Sequence, residues 1–316
     1  MATLLGPDRF AITSSGIAST RNKAVKTSTV YTRALARAHK LTHQINTQKT
    51  QTTDKLLAAA DVIVFMNKDV YNDALHEYQF DTRKCLVWDV ADINPKVDRA
   101  AKAKNTEKAW RDASEGTFRQ IAVHCDALKD YLTKTAWVDV MDEHNEHTGL
   151  RLPVAWVTDR GLWHRGVHVV VQTADGRFVV GKRSNGIVFA PGMLDISLGG
   201  GMDCGEAPLE TAVRETREEL GVPVAEKHFR PLFMCRWNTF HPRYNKHTRG
   251  HVYVYTVKLP QHSRHFTPQP GEVAELRLLT RGQVKRLLRT HRIRNFGRLK
   301  WGDRIYRRAI AASLHT

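Results

Sequence analysis

Acidic residues are what this chain is short of: 32 Asp and Glu stand against 49 Lys and Arg in 316 residues, a net charge of +17. Residues 1–60 carry nine Lys/Arg against two Asp/Glu, and residues 281–316 eleven against one, so the two ends hold all of the excess. Basic ends attract polyanions, which makes nucleic acid or phosphate-rich molecules the partners to consider, although no aromatic-interleaved RNA motif accompanies the charge. Cysteine is also scarce. Cys85, Cys125, Cys204 and Cys235 are scattered with no CxxC pair, which argues against a disulfide framework or a structural zinc site and suits a reducing, cytoplasmic interior. No apolar run approaches about 18 residues, so no membrane span is expected. The opening MATLLGPDRF lacks the charged start and apolar run of a signal peptide. At 41% hydrophobic the chain has enough apolar residues for cores, and its length suits one large domain or two of ordinary size.

Against that background residues 199–222, GGGMDCGEAPLETAVRETREELGV, are a dense and ordered stretch. Pro208 sits where a first helical residue would, and Gly221 where the chain leaves the helix. Leu209, Val213, Thr216 and Leu220 fall at i, i+4, i+7 and i+11, a stripe able to face a core. Glu215, Glu218 and Glu219 converge on one flank. Crowded carboxylates repel one another, so they are tolerable if exposed and useful if a divalent cation sits among them. A generic acidic helix would be a solvated face; here the whole spacing has to be weighed.

That spacing runs Gly200, five residues, Glu206, seven residues, Arg214-Glu215, a gap of two, Glu218-Glu219, a gap of one, Gly221, then Val222. It resembles the Nudix box. Thr216 departs from it, standing where the family usually has a bulky aliphatic. The resemblance implies an α/β/α sandwich around a mixed sheet. It also implies hydrolysis of a diphosphate joined to another moiety, with Mg²⁺ (Mn²⁺ as the alternative) held by the Gly199 carbonyl and by Glu215, Glu218 and Glu219. Such a cation offsets phosphate charge and acidifies the attacking water. Glu206 and Arg214 are expected to orient the box. A base must take the water's proton: a box glutamate such as Glu215 or Glu218, or one in Gly271-Glu-Val-Ala-Glu275, which resembles a downstream loop of many Nudix members. Glu272 is the first candidate there and Glu275 the second. Gly161-Leu-Trp-His-Arg165 and Pro191-Gly-Met-Leu-Asp195 look like the branch that also contains isopentenyl diphosphate isomerase. An isomerase is therefore a rival reading, and a non-catalytic Nudix-fold module for nucleic acid another. Arg165 and Arg183 are candidate phosphate contacts, because guanidinium forks suit phosphate oxygens, and His164 a candidate substrate contact. The group attached to the diphosphate is not specified by the box.

Around this stretch the coarse pattern is strand-rich. Residues 167–171 and 177–181 flank Thr173-Ala-Asp-Gly176, a hairpin signal. Residues 194–198, 251–258 and 274–279 read as further strands, followed by a basic C-terminal helix. Residues 235–251, CRWNTFHPRYNKHTRGH, read as a long loop able to stack a ring. Residues 140–153, polar and His-rich, read as a linker between domains at 1–139 and 154–316.

Residues 1–139 alternate short apolar runs with helical stretches. The runs at 60–66 and 85–90 suit buried parallel strands, and residues 29–39, 68–78 and 116–133 suit helices, so a three-layer α/β domain is expected. Ser14-Ser15-Gly16, residues 61–66 and Trp88-Asp-Val-Ala-Asp92 resemble the low-molecular-weight protein tyrosine phosphatases. That family's chemistry needs Cys-x5-Arg, and none of the four cysteines has Arg six residues on. Asp92 would thus be an acid without a nucleophile. The expectation is a truncated or inactive phosphatase-like domain, with Met1 an internal start or the domain a remnant.

Overall fold

The computed structural model describes residues 37–39, 51–90, 106–187, 191–241, 245–260, 266–268, 271–289 and 306–311. The chain divides into two compact units, Met1–Thr135 and Ala136–Thr316.

In the first unit α1 (Asp54–Ala59), β1 (Ile63–Phe65), α2 (Lys68–Glu77), β2 (Cys85–Val87) and α3 (Thr106–Lys134) follow in order. Both short helices begin at side-chain caps: Thr53 accepts from Leu56 N and Asn67 from Val70 N, which satisfies donors left open in a first turn. β1 and β2 pair in parallel, Ile63 opposite Cys85, with α2 as the crossover between them. Leu57, Ile63, Phe65, Ala74 and Cys85 form the core. The two strands lie inside the runs expected at 60–66 and 85–90, α2 matches 68–78, and α3 begins before the expected 116. Ser14 to Gly16, nearly all of the helix expected at 29–39, and Asp92 lie outside the described residues.

The second unit begins at Ala136 and takes in the stretch expected as a linker. Residues 140–153 are not a linker: β3 (Trp137–Met141) and β4 (His147–Pro153) form an antiparallel hairpin. The polar residues that suggested a joint belong to its turn, where Asp142 Oδ1 accepts the N–H groups of His144 and Glu146, each at 2.8 Å. Flanking that turn, Val138 and Val140, and Leu150 and Leu152, are buried in period-two alternation, the pattern of half-buried strands. After α4 (Val154–Asp159) come β5 (Trp163–Gln172), β6 (Phe178–Arg183), β7 (Leu194–Asp195), α5 (Pro208–Leu220), β8 (Phe229–His241), β9 (Lys246–Lys258), β10 (Val273–Leu279) and α6 (Arg281–Arg289).

β3 to β10 build one mixed eight-stranded sheet, ordered β10-β6-β5-β3-β4, with β9 beside β5, β8 beyond β9, and β7 on β6. The β5–β9 pairing is parallel along its whole length, Trp163 opposite Arg249 to Gln172 opposite Lys258. The described residues of 235–251 are therefore not a loop but part of the β8–β9 hairpin, with residues 242–244 outside the described residues. Trp237 and Thr239 are buried there while Arg236, Asn238 and Phe240 are exposed, strand alternation that the histidines and Pro242 obscured.

Two cores fill the two faces. Val167, Val169 and Val171 pack with Ala212 and Leu220 of α5. Val170, Phe178, Val180 and Ile196 pack with Val284 and Leu288 of α6 and with Tyr306, Ala309 and Ile310. The expected α/β/α sandwich is present. Among the described residues no helix is long and apolar enough to cross a membrane.

Thr216, the residue that breaks the box pattern, is wholly buried and its hydroxyl has no hydrogen-bond partner. An unmet buried hydroxyl costs about 1–3 kcal/mol. Thr216→Val keeps the β-branched shape and removes it, so a rise in unfolding free energy of about 1 kcal/mol is expected in urea denaturation. A fall would show that the hydroxyl is satisfied.

Candidate active site

The site is built where β5 and β6 diverge. They pair only at Gln172 and Phe178, and residues 194–201 run through the gap between them. Asp195 pairs with Gly181, and Leu198 and Gly201 make single bridges to Val169 and Gly166 of β5. The backbone here is tightly threaded. Val167 N donates to Gly200 O at 3.0 Å, and Leu198 and Val169 exchange both bonds at 2.7 and 2.9 Å. Gly199 has φ +140°, and a side chain there would run into the Val167 carbonyl. At Gly200 a Cβ would stand 2.6 Å from Glu215 Oε1. Both glycines are thus required by close approach.

α5 starts with Pro208 at its first position and with Glu210 reaching back to Ala207 N at 2.8 Å. It ends at Gly221 with φ +70°. Arg214 is its electrostatic hub. Its Nε and Nη2 grip Glu206 at 2.8 and 2.9 Å, Nη2 also reaches Gly201 O at 3.0 Å, and Nη1 meets Glu215 Oε1 at 2.9 Å and Glu218 Oε2 at 3.3 Å. Glu206 also accepts from Thr211 Oγ1 and Asp203 N. On the next turn Glu219 Oε1 accepts from Gly199 N at 2.9 Å.

The carboxylates divide by environment. The Arg214 bonds hold Glu206 down at about 2, against partial burial and helped by Thr211 and Asp203 N. Burial pushes Glu215 up to about 7, with Glu218 and Glu272 adding repulsion that Arg214 only partly offsets. Burial pushes Glu219 up to about 8, against the Gly199 N–H bond and with Asp195, Glu215 and Glu272 adding repulsion. Glu206 ionises more readily in the fold than at its ordinary 4.5. Its contribution is therefore complete above about pH 4.5 and disappears as pH falls through about 2. Glu206→Gln should lower stability by about 1–2 kcal/mol at pH 6, with the gap to the parent protein closing below pH 4 in denaturation curves. A gap independent of pH would remove the ion pair from the account.

Among the described residues no three His, Cys, Asp or Glu side chains are drawn around one point as a bound ion would need. In kind, though, the donors fit a hard dication. They are all oxygens, and two are carboxylates whose charged form is disfavoured by burial and by neighbouring acids, the condition a cation relieves.

The NUDIX domain family matches residues 162–301. An uncharacterized Nudix hydrolase of Rhodococcus erythropolis is 34% identical over 133 residues, 40% of this chain and 67% of that protein. The chain belongs to the Nudix family. The uncharacterized Nudix hydrolase YfcD of Salmonella typhi is 40% identical over 98 residues, 30% of this chain and 53% of that one. The chain thus spans about half the length of the first curated relatives it matches. A solved structure from Deinococcus radiodurans superimposes over 50% of this chain and 91% of its own, with 23% identity and a TM-score of 0.39.

Within this Nudix unit the structure gathers some of the expected residues and separates others. Glu215, Glu218, Glu219 and Gly199 lie together as described. Glu272 is exposed just before β10, its carbonyl accepting from Ser184 N at 2.8 Å, and its charge reaches Glu215 and Glu219. Glu275 is turned to Arg277, which grips it with two bonds of 2.8 Å. Arg183 ends β6, its backbone exchanging bonds with Met193 O and Gly192 N. Arg165 spends its guanidinium inside the protein: Nε meets Asn145 Oδ1 at 2.8 Å and Nη2 meets Asn145 O at 2.9 Å. His164 shares the parity of Val170 on β5, so it faces away from α5; burial lowers its pKa, and its Nδ1 lies 3.4 Å from Leu162 O.

The sequence reading missed the hairpin's part in the site. Asp139 of β3 accepts from Gly205 N at 2.9 Å, and Cys204 N donates to Trp137 O, so the box loop leans on β3. Asn145, in the turn at φ +72°, also donates to Tyr253 OH at 2.9 Å. The signal was present in the alternating Val138, Val140, Leu150 and Leu152, but the acidic and histidine residues between them masked it.

Proposed function

We propose that the Nudix unit hydrolyses a diphosphate linkage in a nucleoside diphosphate derivative or a related compound, dependent on Mg²⁺ or Mn²⁺. The observation that carries this reading is the arrangement around Arg214 and Gly199. One guanidinium holds Glu206, Glu215 and Glu218, while the Gly199 N–H holds Glu219. A binding module has no need to keep so many acids beside one loop against their mutual repulsion.

Glu215, Glu218 and Glu219, with the Gly199 carbonyl, would hold the cation. What it supplies when bound is neutralisation of the diphosphate and acidification of a water. Arg214 keeps Glu215 and Glu218 from splaying apart. Glu272 would take the water's proton; its charge is felt by Glu215 and Glu219, whereas Glu275 is held by Arg277. Arg183, at the end of β6 beside the 191–193 segment, is the favoured phosphate contact, and Arg165 braces the β3–β4 turn instead.

For the first unit the reading of a phosphatase-like fold without its nucleophile is supported by the parallel β1–α2–β2 arrangement and by the absence of Cys-x5-Arg from the sequence.

The test is turnover of a panel of nucleoside diphosphate derivatives and prenyl diphosphates with Mg²⁺. Release of phosphate or a monophosphate is the expected result. A rearranged but intact prenyl diphosphate would favour an isomerase. No turnover, with tight salt-sensitive RNA binding, would favour a nucleic-acid module.

A further inference from the structure

The chain approaches Gly199 through Asp195 and Ser197, two polar residues that the reaction as described does not use. Both are buried, 5% and 4% exposed. Tyr306, which bonds to Asp195, belongs to the apolar layer of Ile196, Phe178 and Val180 under α6, and a buried carboxylate is costly unless its bonds are made. Three of its bonds converge on one atom. Asp195 Oδ1 accepts from Ser197 N at 3.1 Å, Ser197 Oγ at 3.0 Å and Tyr306 OH at 2.9 Å.

The donors come from separate parts of the fold. Tyr306 belongs to the helical segment 306–311 and is itself only 2% exposed. Besides Asp195, Ser197 Oγ meets His168 Nδ1 of β5 at 2.8 Å and Tyr306 OH at 3.5 Å. Asp195 therefore ties the last described helix, the 195–197 turn and β5 at one point. Three and four residues after Asp195, Leu198 is locked to Val169 and Gly199 N is delivered to Glu219. Between Asp195 and Gly199 the chain crosses from β6 to β5, where a small backbone rotation would swing Gly199 out of register with α5.

We propose that Asp195 is a positioning residue for the box entrance: held by Tyr306 and Ser197, it fixes the backbone that presents Gly199 to Glu219 and to the cation. The inference rests on the hydrolase reading and predicts a particular pattern of variants. These three donors meet one oxygen, which an amide also possesses. Asp195→Asn should therefore keep the arrangement, whereas Asp195→Ala should lose it.

The experiment titrates Mn²⁺ alone against the thermal unfolding of the full chain, alongside kcat and KM for the best substrate of the panel. Asp195→Ala is expected to raise the half-saturating Mn²⁺ concentration by about 10- to 100-fold, as loss of a ligand's supporting shell does, and to lower kcat more than KM changes. Asp195→Asn should stay within about threefold of the parent. Ile196→Val, a core change beside the same bonds, should lower the unfolding temperature without moving the Mn²⁺ dependence. An Asp195→Ala protein with the parent's Mn²⁺ response, or an Asp195→Asn protein as impaired as Asp195→Ala, overturns the proposal. If Asp195→Ala does not fold, Tyr306→Phe removes one donor and should weaken the Mn²⁺ response several-fold; an unchanged response is equally fatal. A parent protein that neither responds to Mn²⁺ nor turns over any diphosphate overturns the hydrolase reading itself, without reference to a variant.

Discussion

On the proposed hydrolase reading, Glu218→Gln is expected to leave the fold intact and to lower Mg²⁺-dependent diphosphate hydrolysis by about a thousandfold or more, a loss of some 4 kcal/mol of transition-state stabilisation. Glu218 suits this test because little else depends on it. Its side chain is 38% exposed and its ion pair with Arg214 is the long one, at 3.3 Å. Such a half-exposed pair adds at most about 1 kcal/mol to stability. Glutamine keeps the volume and the hydrogen-bonding oxygen while removing the charge a hard cation needs. The fall should therefore appear in kcat, with unfolding temperature nearly unchanged. Glu275→Gln is the internal control: the side chain lies at the surface, occupied by Arg277, and its loss should leave turnover close to the parent's. Glu272→Gln should fall between the two if Glu272 is the base. A Glu218→Gln enzyme retaining a tenth or more of parental turnover would contradict the assignment of Glu218 as a ligand.

Gly199→Ala should have the largest effect on the fold. At φ +140° a non-glycine residue is strained in any surroundings, and here the new Cβ would meet the Val167 carbonyl, a backbone atom with no freedom to move aside. Val167 is itself bonded to Gly200 O and buried in the core beneath α5. Backbone strain and clash together should cost more than about 3 kcal/mol, seen as a steep fall in unfolding temperature and loss of all hydrolysis. Gly200→Ala is the informative contrast. Its Cβ would press on Glu215 Oε1, the end of a flexible side chain, at 2.6 Å. That side chain can shift, so Gly200→Ala should remain folded and lose activity through a displaced Glu215. Equal stability losses in the two variants would mean that the close approach at Gly199 is not as drawn.

How much of this was legible beforehand follows from the range of the forces involved. The box helix, its proline start and its glycine stop are local matters of capping and periodicity, and residues 208–220 formed as the spacing required. The short parallel strands of the first unit were equally plain from their apolar runs. The hairpin of β3 and β4, and the part of the β8–β9 ribbon before residue 251, were not. In both, polar turn residues sit between strands whose apolar members alternate, and composition outweighed alternation in the reading. Arg165 shows a second limit. As a residue type it suits phosphate, yet its neighbour in space is Asn145, twenty positions away in sequence, and that contact decides its use.

The sequence by itself determined the chemistry on offer: three glutamates on one helix flank, an arginine and a glycine run at fixed spacing, and no cysteine able to serve the other half of the chain. Those features depend only on which residues stand a few positions apart, which a helix or a turn converts directly into proximity. The tertiary structure alone decided which acids feel one another, because burial and long-range approach separate Glu215 and Glu219, held near neutrality, from Glu206, which Arg214 keeps ionised. It also placed Asp195 and Tyr306 on one bond across 111 positions of sequence, a meeting that only the packing of the whole sheet against its helices can arrange.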